Sequence, residues 1–218
     1  MVQSQKTLVQ CDFDGTVTVE DISFMLLDAF TDGDWRQWED EYESDRISVG
    51  RFNSEVFGMV KADRQVMLDY IMDRVVIRPG FVEFVALCHQ RGFRLVIVSN
   101  GLQFYIERIL GDLGMADIEV HAARTRFCPD GLRVEYVGPG GTVLDSGFKE
   151  SFTRLFLADG YRVVYIGDGR SDFAPASLCH QAFAAVDSGS LLTRCREGNV
   201  DCHPFADFHD VVGAIDSR

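Results

Sequence analysis

The architecture of this 218-residue chain is indicated near its start by the segment Leu8-Val9-Gln10-Cys11-Asp12-Phe13-Asp14-Gly15-Thr16. The segment predicts a short buried strand that ends abruptly at two carboxylates, Asp12 and Asp14. Gly15 allows the chain to turn after the strand, because glycine has no Cβ to restrict its backbone. Two crowded carboxylates repel each other unless a cation or a shared proton neutralises them. The segment therefore predicts either a solvated acidic turn or a charged site at a sheet edge.

Strand and helix patterns alternate from residue 78 onward. Runs rich in β-branched and apolar residues predict strands at residues 93–98, 118–122, 161–166 and 182–186. Helices are predicted at residues 81–91, 102–113, 148–158, 190–197 and 205–215. A turn at Pro129-Asp130-Gly131 predicts a β-hairpin over residues 125–137. Strands that alternate with helices predict an α/β fold with a parallel sheet covered on both faces.

The segment between the first strand and this alternation has a different pattern. Residues 18–75 contain four helical patterns and no convincing strand. Because this segment directly follows the first strand, we expect it to be a helical cap inserted into the α/β core. The predicted domains are therefore a core of residues 1–17 and 76–218 and a cap of residues 18–75.

Composition limits the classes of partner. The chain has 34 acidic and 21 basic residues, a formal net charge of −13, which argues against nucleic-acid or anionic membrane partners. No apolar run approaches the roughly 20 residues of a membrane span. No signal peptide is expected ahead of the first strand. Six cysteines without a CxxC pair predict reduced thiols and a cytoplasmic protein.

Polar residues follow several of the predicted strands. The carboxyl ends of parallel strands lie along one edge of a sheet, where ligands of such folds bind. We therefore expect the following groups to converge: Asp12 and Asp14, Ser99 and Asn100, Lys149 at a helix start, and Asp168 and Asp172. Each residue alone also fits an ordinary role, such as a helix cap or a turn, but their joint placement favours a shared site.

The chemistry that suits these groups is phosphoryl transfer. A carboxylate can attack phosphorus to form an aspartyl-phosphate, which divides one difficult hydrolysis into two easier steps. A second carboxylate can protonate the leaving oxygen and then activate water. Carboxylates together with phosphate oxygens are common ligands of Mg²⁺. Hydroxyl groups, backbone N–H groups and a lysine can hold the phosphoryl oxygens.

Four motifs resemble those of the haloacid-dehalogenase-like (HAD) phosphatases: Asp12-Phe13-Asp14-Gly15-Thr16, Val98-Ser99-Asn100-Gly101, Lys149, and Gly167-Asp168-Gly169-Arg170-Ser171-Asp172. The helical insertion is similar to the cap of the phosphoserine-phosphatase-like branch. The resemblance implies a Rossmann-like parallel sheet core, the HAD fold, with a small inserted helical cap. It also implies a Mg²⁺-dependent hydrolase of a small phosphorylated metabolite.

The resemblance assigns expected roles to individual residues. Asp12 is expected to be the nucleophile and a Mg²⁺ ligand, and Asp14 the general acid and base that offers its backbone carbonyl to the metal. Ser99 and Lys149 are expected to bind the phosphoryl group, next to Asn100 and Gly101 as substrate-binding residues. Asp168 is expected to be a metal ligand. Asp172 is expected to act on the metal either directly or through another group.

Three stretches and the tail resemble the phosphatases of the methionine-salvage enol phosphate 2-hydroxy-3-keto-5-methylthiopentenyl-1-phosphate. They are Ile77–Phe81, Val98–Ile106, Thr193–Glu197 and His203–Phe208. Those phosphatases carry a cysteine-rich stretch ahead of the motif lysine, whereas residues 136–147 of this chain contain no cysteine. The resemblance implies the salvage compound as the first candidate substrate.

Phosphoserine is the second candidate substrate. Phosphoserine phosphatases hold the substrate ammonium with a cap glutamate, a role that Glu20 or Asp21 can fill here. Their cap arginine holds the carboxylate, but the third predicted helix offers only Arg51, about one turn early. Two alternatives of another class are a receiver-type phosphoacceptor and a non-catalytic binding domain. The helical insertion and the second carboxylate of the first motif argue against the receiver.

Overall fold

The computed structural model describes residues 5–187 and 189–215. Seven strands form one sheet, in the spatial order β4-β3-β2-β1-β5-β6-β7. The strands are β1 Thr7–Cys11, β2 Arg94–Leu102, β3 Glu119–Cys128, β4 Gly131–Glu135, β5 Arg162–Gly167, β6 Gln181–Ala185 and β7 Cys202–Phe205. All neighbouring pairs are parallel except the β3–β4 hairpin, which is antiparallel. The predicted α/β fold with a mostly parallel sheet is confirmed.

Ten α-helices and one short 3-10 helix, Arg170–Asp172, complete the described fold. The α-helices are α1 Ile22–Phe30, α2 Arg36–Glu43, α3 Val49–Gly58, α4 Arg64–Met72, α5 Phe81–Arg91, α6 Gln103–Asp112, α7 Phe148–Ala158, α8 Phe173–Leu178, α9 Leu191–Glu197 and α10 Phe208–Ala214. Among the described helices, none has both the length and the apolar character that a bilayer crossing requires.

The first strand is central because it pairs with both β2 and β5. Leu8 and Val9 are fully buried, as are the neighbouring strand residues Val96 and Val164. Such apolar runs are typical of strands that are covered on both faces. The end of β1, and with it Asp12, is therefore held at the middle of the sheet edge.

The strand β2 is longer than predicted, and β7 was not predicted at all. β2 continues through Ser99 to Leu102, and its pairing with β3 shifts register between Val98 and Leu102. The segment Ser99-Asn100-Gly101, which we call the polar triplet, therefore lies in an irregular strand end. β7 was not predicted, because it has only four residues and contains Pro204. It lies at the edge of the sheet, where a proline is tolerated because one side of the strand needs no ladder hydrogen bond.

The helices α1–α4 all lie within residues 18–75, which we call the helical insertion. Its two connections to the rest of the chain run side by side: Val19 N–H donates to Val76 O at 2.9 Å and Arg78 N–H donates to Val17 O at 2.8 Å. On the far side, Gly50 N–H donates to Asp145 O at 2.9 Å. The insertion thus contacts the α/β part beyond its two connections, and its status as a separate cap domain stays a prediction.

Candidate active site

Three ionisable side chains form the centre of the site. Lys149, in the first turn of α7, places its Nζ 2.7 Å from Asp12 Oδ2 and 2.6 Å from Asp172 Oδ1. All three side chains are buried. A buried lysine needs such partners, because removing a charge from water is costly unless it is paired and hydrogen-bonded. The pairing fixes the lysine between the end of β1 and the loop after β5.

Asp168 follows β5 directly and adds a third carboxylate. Thr16 Oγ1 donates to Asp168 Oδ1 at 2.9 Å, which links the loop after β1 to the loop after β5. Asp12, Asp168 and Asp172 each offer an oxygen, and these oxygens lie within 4.8 Å of one another. Gly15 has a φ of +72°, and a Cβ there would meet Asp168 Oδ2 at 2.5 Å, so the turn requires glycine.

The residues of this cluster fit a divalent cation. Lys149 supplies one positive charge against three carboxylates, and Asp12 Oδ1 is buried with no hydrogen-bond partner in the described part of the chain. Burial raises the pKa of Asp12 to about 7, against the opposing effect of Lys149. Burial, and then the charges of Asp172 and Asp12, also raise the pKa of Asp168 well above its usual value. This excess negative charge indicates a cation site.

Asp172 is the most heavily hydrogen-bonded acid of the cluster. Its Oδ1 accepts from Lys149 Nζ and from the Tyr165 hydroxyl, the latter at 2.5 Å. Its Oδ2 accepts from the backbone N–H groups of Asp168 and Gly169, at 3.0 and 2.8 Å. Because four donors occupy the lone pairs of the two oxygens, Asp172 orients Lys149 and the loop after β5. Tyr165 was not predicted, since a strand tyrosine has no distinguishing sequence signal.

Asp14 lies on the other side of the site. Its Oδ2 accepts from the Tyr105 hydroxyl and, at 3.3 Å, from Ser23 Oγ. Its Oδ1 is buried and has no hydrogen-bond partner within residues 5–187 and 189–215. Burial, followed by the charge of Asp21, raises the pKa of Asp14 well above its usual value. A raised pKa favours the protonated carboxyl that a general acid requires.

The polar triplet at the end of β2 lies opposite. Ser99 is buried, and its Oγ accepts from the backbone N–H of Gly101 at 3.1 Å. The carbonyl of Asn100 accepts from the Tyr136 hydroxyl at 2.5 Å, and Asn100 Oδ1 is buried without a partner. Tyr136 also accepts from Asn53 of α3 at 2.5 Å, so this chain of hydrogen bonds joins β2 to the helical insertion.

These groups line one cavity of about 480 Å³ between the sheet edge and the helical insertion. The volume suits a small metabolite. Nine of the predicted site residues line it: Asp12, Asp14, Asp21, Ser99, Asn100, Gly101, Lys149, Asp168 and Asp172. Glu20, the other predicted substrate-binding residue, does not line it, because its side chain is exposed at the surface while Asp21 caps α1 and faces the cavity.

The helical insertion contributes an acidic and partly aromatic wall. Its cavity-lining residues are Asp21, Ser23, Phe24, Glu39, Tyr42, Glu43, Val49, Phe52 and Asn53. Among the described residues that line the cavity, the cationic side chains are Lys149 and Arg170, both outside the insertion. Arg51 is exposed, with its Nε 3.8 Å from Glu55 Oε1, and it is not among the described residues that line the cavity. The wall therefore offers negative and apolar surface to a molecule that occupies the cavity.

Two arginines organise the surroundings of the site. Arg170 donates to the carbonyl of Glu43 at 2.6 Å and to the Asp45 carboxylate, which ties the loop after β5 to the end of α2. Arg78 is fully buried and donates to the carbonyls of Gly15 and Thr16, both at 2.8 Å. Arg78 thus holds the turn that carries Asp14. The only sequence signal for it was the Ile77–Phe81 stretch.

The fold and the strand-end motifs agree with comparison to known families. The model of the haloacid dehalogenase-like hydrolases matches residues 9–176, and the chain belongs to this family. It is a phosphatase of that family, as its similarity to proteins named phosphatases over most of its length shows. A hydrolase is neither a receiver-type phosphoacceptor nor a non-catalytic binding domain.

Two relatives named as phosphatases are similar to nearly the whole chain. The chain is 29% identical over 213 residues to the 2-hydroxy-3-keto-5-methylthiopentenyl-1-phosphate phosphatase of Brevibacillus brevis, covering 96% of this chain and 95% of the relative. It is 30% identical over 216 residues to the phosphatase of the same name from Geobacillus kaustophilus, covering 97% and 96%. The predicted resemblance of the chain to this group of phosphatases is thereby confirmed.

A solved structure supports the fold. The chain superposes on a substrate-bound phosphoserine phosphatase complex with a TM-score of 0.71 and 15% identity, covering 97% of this chain and 99% of that one. The similarity extends over the helical insertion as well as the sheet. The predicted phosphoserine-phosphatase-like branch of the HAD fold is confirmed.

Proposed function

We propose that the protein hydrolyses a phosphomonoester in two steps through an aspartyl-phosphate on Asp12. In the first step the Asp12 carboxylate bonds to phosphorus, the bond from phosphorus to the leaving oxygen breaks, and Asp14 gives its proton to that oxygen. In the second step Asp14 takes a proton from water, whose oxygen bonds to phosphorus as the bond from phosphorus to Asp12 breaks. Lys149, Ser99 and the N–H of Gly101 hold the phosphoryl oxygens.

One observation carries this proposal. Asp12 and Asp14 line the same cavity, and each keeps one buried oxygen without a partner among the described residues. Leaving a buried polar atom unpaired costs free energy, so such atoms are expected where a ligand supplies the partner. The partnered oxygen of Asp12 contacts the charged Lys149, whereas that of Asp14 contacts neutral hydroxyl groups. This difference suits a nucleophile on one side and a proton donor on the other.

We propose Mg²⁺ as the cation of the site, held by Asp12, Asp168 and the backbone carbonyl of Asp14. When bound, Mg²⁺ neutralises the negative charge that gathers on the phosphoryl oxygens. The oxygen-only donor set of the cluster favours a hard cation such as Mg²⁺ over softer metals. Asp172 acts outside direct coordination, because its oxygens already accept four hydrogen bonds.

The substrate that we propose is 2-hydroxy-3-keto-5-methylthiopentenyl-1-phosphate. The names of the relatives support it, and so does the wall of the cavity that the helical insertion forms. Phe24, Val49 and Phe52 give that wall apolar surface, which suits a methylthio group because thioethers make favourable contacts with aromatic rings. Residues 136–147, the counterpart of the cysteine-rich stretch of those phosphatases, are not among the described lining residues of the cavity. The absence of cysteine there therefore does not change this surface.

Phosphoserine is the alternative, supported by the similar solved structure. Its carboxylate would share the cavity with Asp21, Glu39 and Glu43, and Arg51 is turned away from it. A buried carboxylate is costly unless a cation pairs with it, and Arg170 of the cavity lining is already bonded to Glu43 and Asp45. The acidic wall therefore favours a substrate that carries no second anionic group.

We further propose that residues 18–75 act as a mobile cap over the cavity and that the protein is cytoplasmic. The paired connections at Val19 and Arg78 offer a hinge. The six free cysteines agree with a reducing compartment.

A phosphatase assay with Mg²⁺ tests the proposed function. The panel contains the salvage compound generated in situ, phosphoserine, pyridoxal phosphate and sugar phosphates, with Asp12→Asn as the inactive variant and Asp117→Asn, on the surface, as its matched control. We expect preference for the salvage compound, and loss of at least about a thousandfold in turnover for Asp12→Asn only. Preference for phosphoserine would overturn the substrate, and substantial activity of Asp12→Asn would overturn the nucleophile.

A further inference from the structure

Tyr105 is a buried residue of α6 whose hydroxyl is directed at the carboxyl group of Asp14. The hydroxyl donates to Asp14 Oδ2 and lies 2.9 Å from Ser23 Oγ, which itself donates to Asp14 Oδ2 at 3.3 Å. Its side chain has no exposed surface. Tyr105 belongs to the stretch 98–106 that the sequence singled out, and the two-step reaction so far assigns it no role.

The hydrogen bond runs from the phenol to the carboxyl group, where Oδ2 accepts. Two hydroxyl groups engage Oδ2, whereas Oδ1 of the same carboxyl has no partner among the described residues. The two oxygens of Asp14 are thus held in different environments.

Gly101 provides the space for this arrangement. A Cβ at Gly101 would overlap both the Tyr105 hydroxyl and Asp14 Oδ2. The close approach of these groups therefore depends on the absence of a side chain at residue 101, whose backbone N–H also contacts Ser99. The same glycine serves the phosphoryl-binding triplet and the packing of Tyr105 against Asp14.

We infer that Tyr105, together with Ser23, is a positioning residue that holds Asp14 by Oδ2 and leaves Oδ1 as the oxygen that exchanges protons. The inference rests on the proposed role of Asp14. In the first step Oδ1 gives its proton to the leaving oxygen as the bond from that oxygen to phosphorus breaks. In the second step Oδ1 accepts the proton of the attacking water. Because Ser23 lies in α1, the helical insertion contributes directly to the orientation of the acid.

The test compares two leaving groups in single-turnover experiments with Mg²⁺. Nitrophenolate departs from p-nitrophenyl phosphate without needing a proton, whereas the alkoxide of glycerol phosphate requires one. We expect Tyr105→Phe to lose about 10- to 100-fold more rate on the alkyl phosphate than on the aryl phosphate, because a displaced acid fails only where a proton is needed. The matched control Tyr161→Phe removes a hydroxyl at the opposite sheet edge and should lose no rate on either substrate. Equal losses for Tyr105→Phe on both substrates would overturn the inference.

A double-mutant cycle with Asp14→Asn separates this inference from the role of Asp14 itself. If Tyr105 acts through Asp14, adding Tyr105→Phe to Asp14→Asn lowers the alkyl phosphate rate no further. An undiminished further loss shows a merely structural role and overturns the inference alone. Asp14→Asn with the full alkyl phosphate rate overturns the role of Asp14 and the inference with it.

Ser23→Ala supplies a second variant that does not depend on how Tyr105→Phe folds. It removes the other hydroxyl from Oδ2, and we expect the same dependence on the leaving group with a smaller loss, because its hydrogen bond to Asp14 is the longer one. Equal losses on the two phosphates would again overturn the inference.

Discussion

At the scale of the residue, the site is governed by buried charge that the protein alone does not balance. Lys149 offsets part of the charge of Asp12 and Asp172, while Asp168 is bonded to a neutral hydroxyl. Burial and mutual repulsion raise the pKa values of Asp12 and Asp168. A cation that binds there relieves this repulsion, and it stabilises the fold as it does so.

Removal of the metal should therefore affect stability as well as activity. We expect EDTA to abolish turnover and lower the melting temperature, and Mg²⁺ at 100 times its dissociation constant to restore about 2.7 kcal/mol of stability. Activity assays measure the loss of turnover, and calorimetry of the wild type and of Asp168→Asn measures the change in stability. The variant should show no gain in stability with Mg²⁺. An equal gain in the variant would contradict the assignment of Asp168.

Gly101 gives a second prediction at this scale. Gly101→Ala places a Cβ against the Tyr105 hydroxyl and Asp14, so we expect destabilisation of about 1–3 kcal/mol and a loss of turnover. Gly111→Ala in α6 is the matched control, since a Cβ there meets nothing within 4 Å. The control should stabilise the protein by about 0.5–1 kcal/mol, because alanine is the better helix former. Urea denaturation of the two variants distinguishes them, and similar destabilisation would show that steric overlap is not the cause.

At the scale of the elements, one buried arginine joins the ends of three strands. Arg78 donates to Gly15 O and Thr16 O after β1, to Asp187 after β6 at 2.8 Å, and to Ala206 O after β7 at 2.9 Å. Its planar guanidinium has donors on each side, which suits such divergent acceptors. The carbonyl groups matter more than Asp187, whose side chain is half exposed and contributes a well-screened ion pair.

Arg78→Lys should therefore destabilise the protein and lower turnover although it keeps the positive charge. A lysine cannot reach the acceptors on all sides, and leaving buried carbonyl groups unpaired should destabilise the fold by about 2–4 kcal/mol and lower turnover. The exposed Arg196→Lys is the matched control and should change neither quantity. Chemical denaturation and steady-state kinetics provide the measurement. Wild-type stability of Arg78→Lys would show that the charge alone is sufficient.

At the scale of the whole molecule, the cavity lies between two parts of the chain that share one continuous hydrophobic core as well as polar contacts. Arg170 makes several of the polar contacts, because it is bonded to Glu43 and Asp45 and stacked 5.1 Å above the ring of Tyr42. If the helical insertion moves as a cap, these contacts favour the closed arrangement in which the acidic wall faces Asp12.

Loosening this contact should raise KM more than it lowers kcat. We expect about a tenfold rise in KM for Arg170→Ala and a smaller one for Asp45→Asn, which keeps a residue tolerant of the positive φ of 58°. Asp45, whose contact with Arg170 we call the latch, is not among the described residues that line the cavity. The effect of Asp45→Asn therefore distinguishes a contact that holds the closed arrangement from direct substrate binding by Arg170. Arg46→Ala, paired with Glu41 inside the insertion, is the control. An unchanged KM in Asp45→Asn would contradict the latch.

Much of the fold and most of the site were predictable because the signals are local. The apolar run of β1, the carboxylates that follow it and the polar ends of β2 and β5 are encoded in consecutive residues. The parallel sheet then brings those ends to one edge, whatever the details of side-chain packing. Four residues of β7 escaped prediction, because a short edge strand with Pro204 carries almost no local pattern.

The sequence by itself thus determined the class of fold and the carboxylates, hydroxyl and lysine of the site. Only the tertiary structure decided that Tyr105 meets Asp14 across 91 residues of chain and that Arg78 meets Gly15 across 63. It also decided between Glu20 and Asp21, since one residue of difference at the start of α1 turns a side chain from the surface to the cavity. The physical reason is that such contacts depend on how helices pack against the sheet, which no periodicity within a single element records.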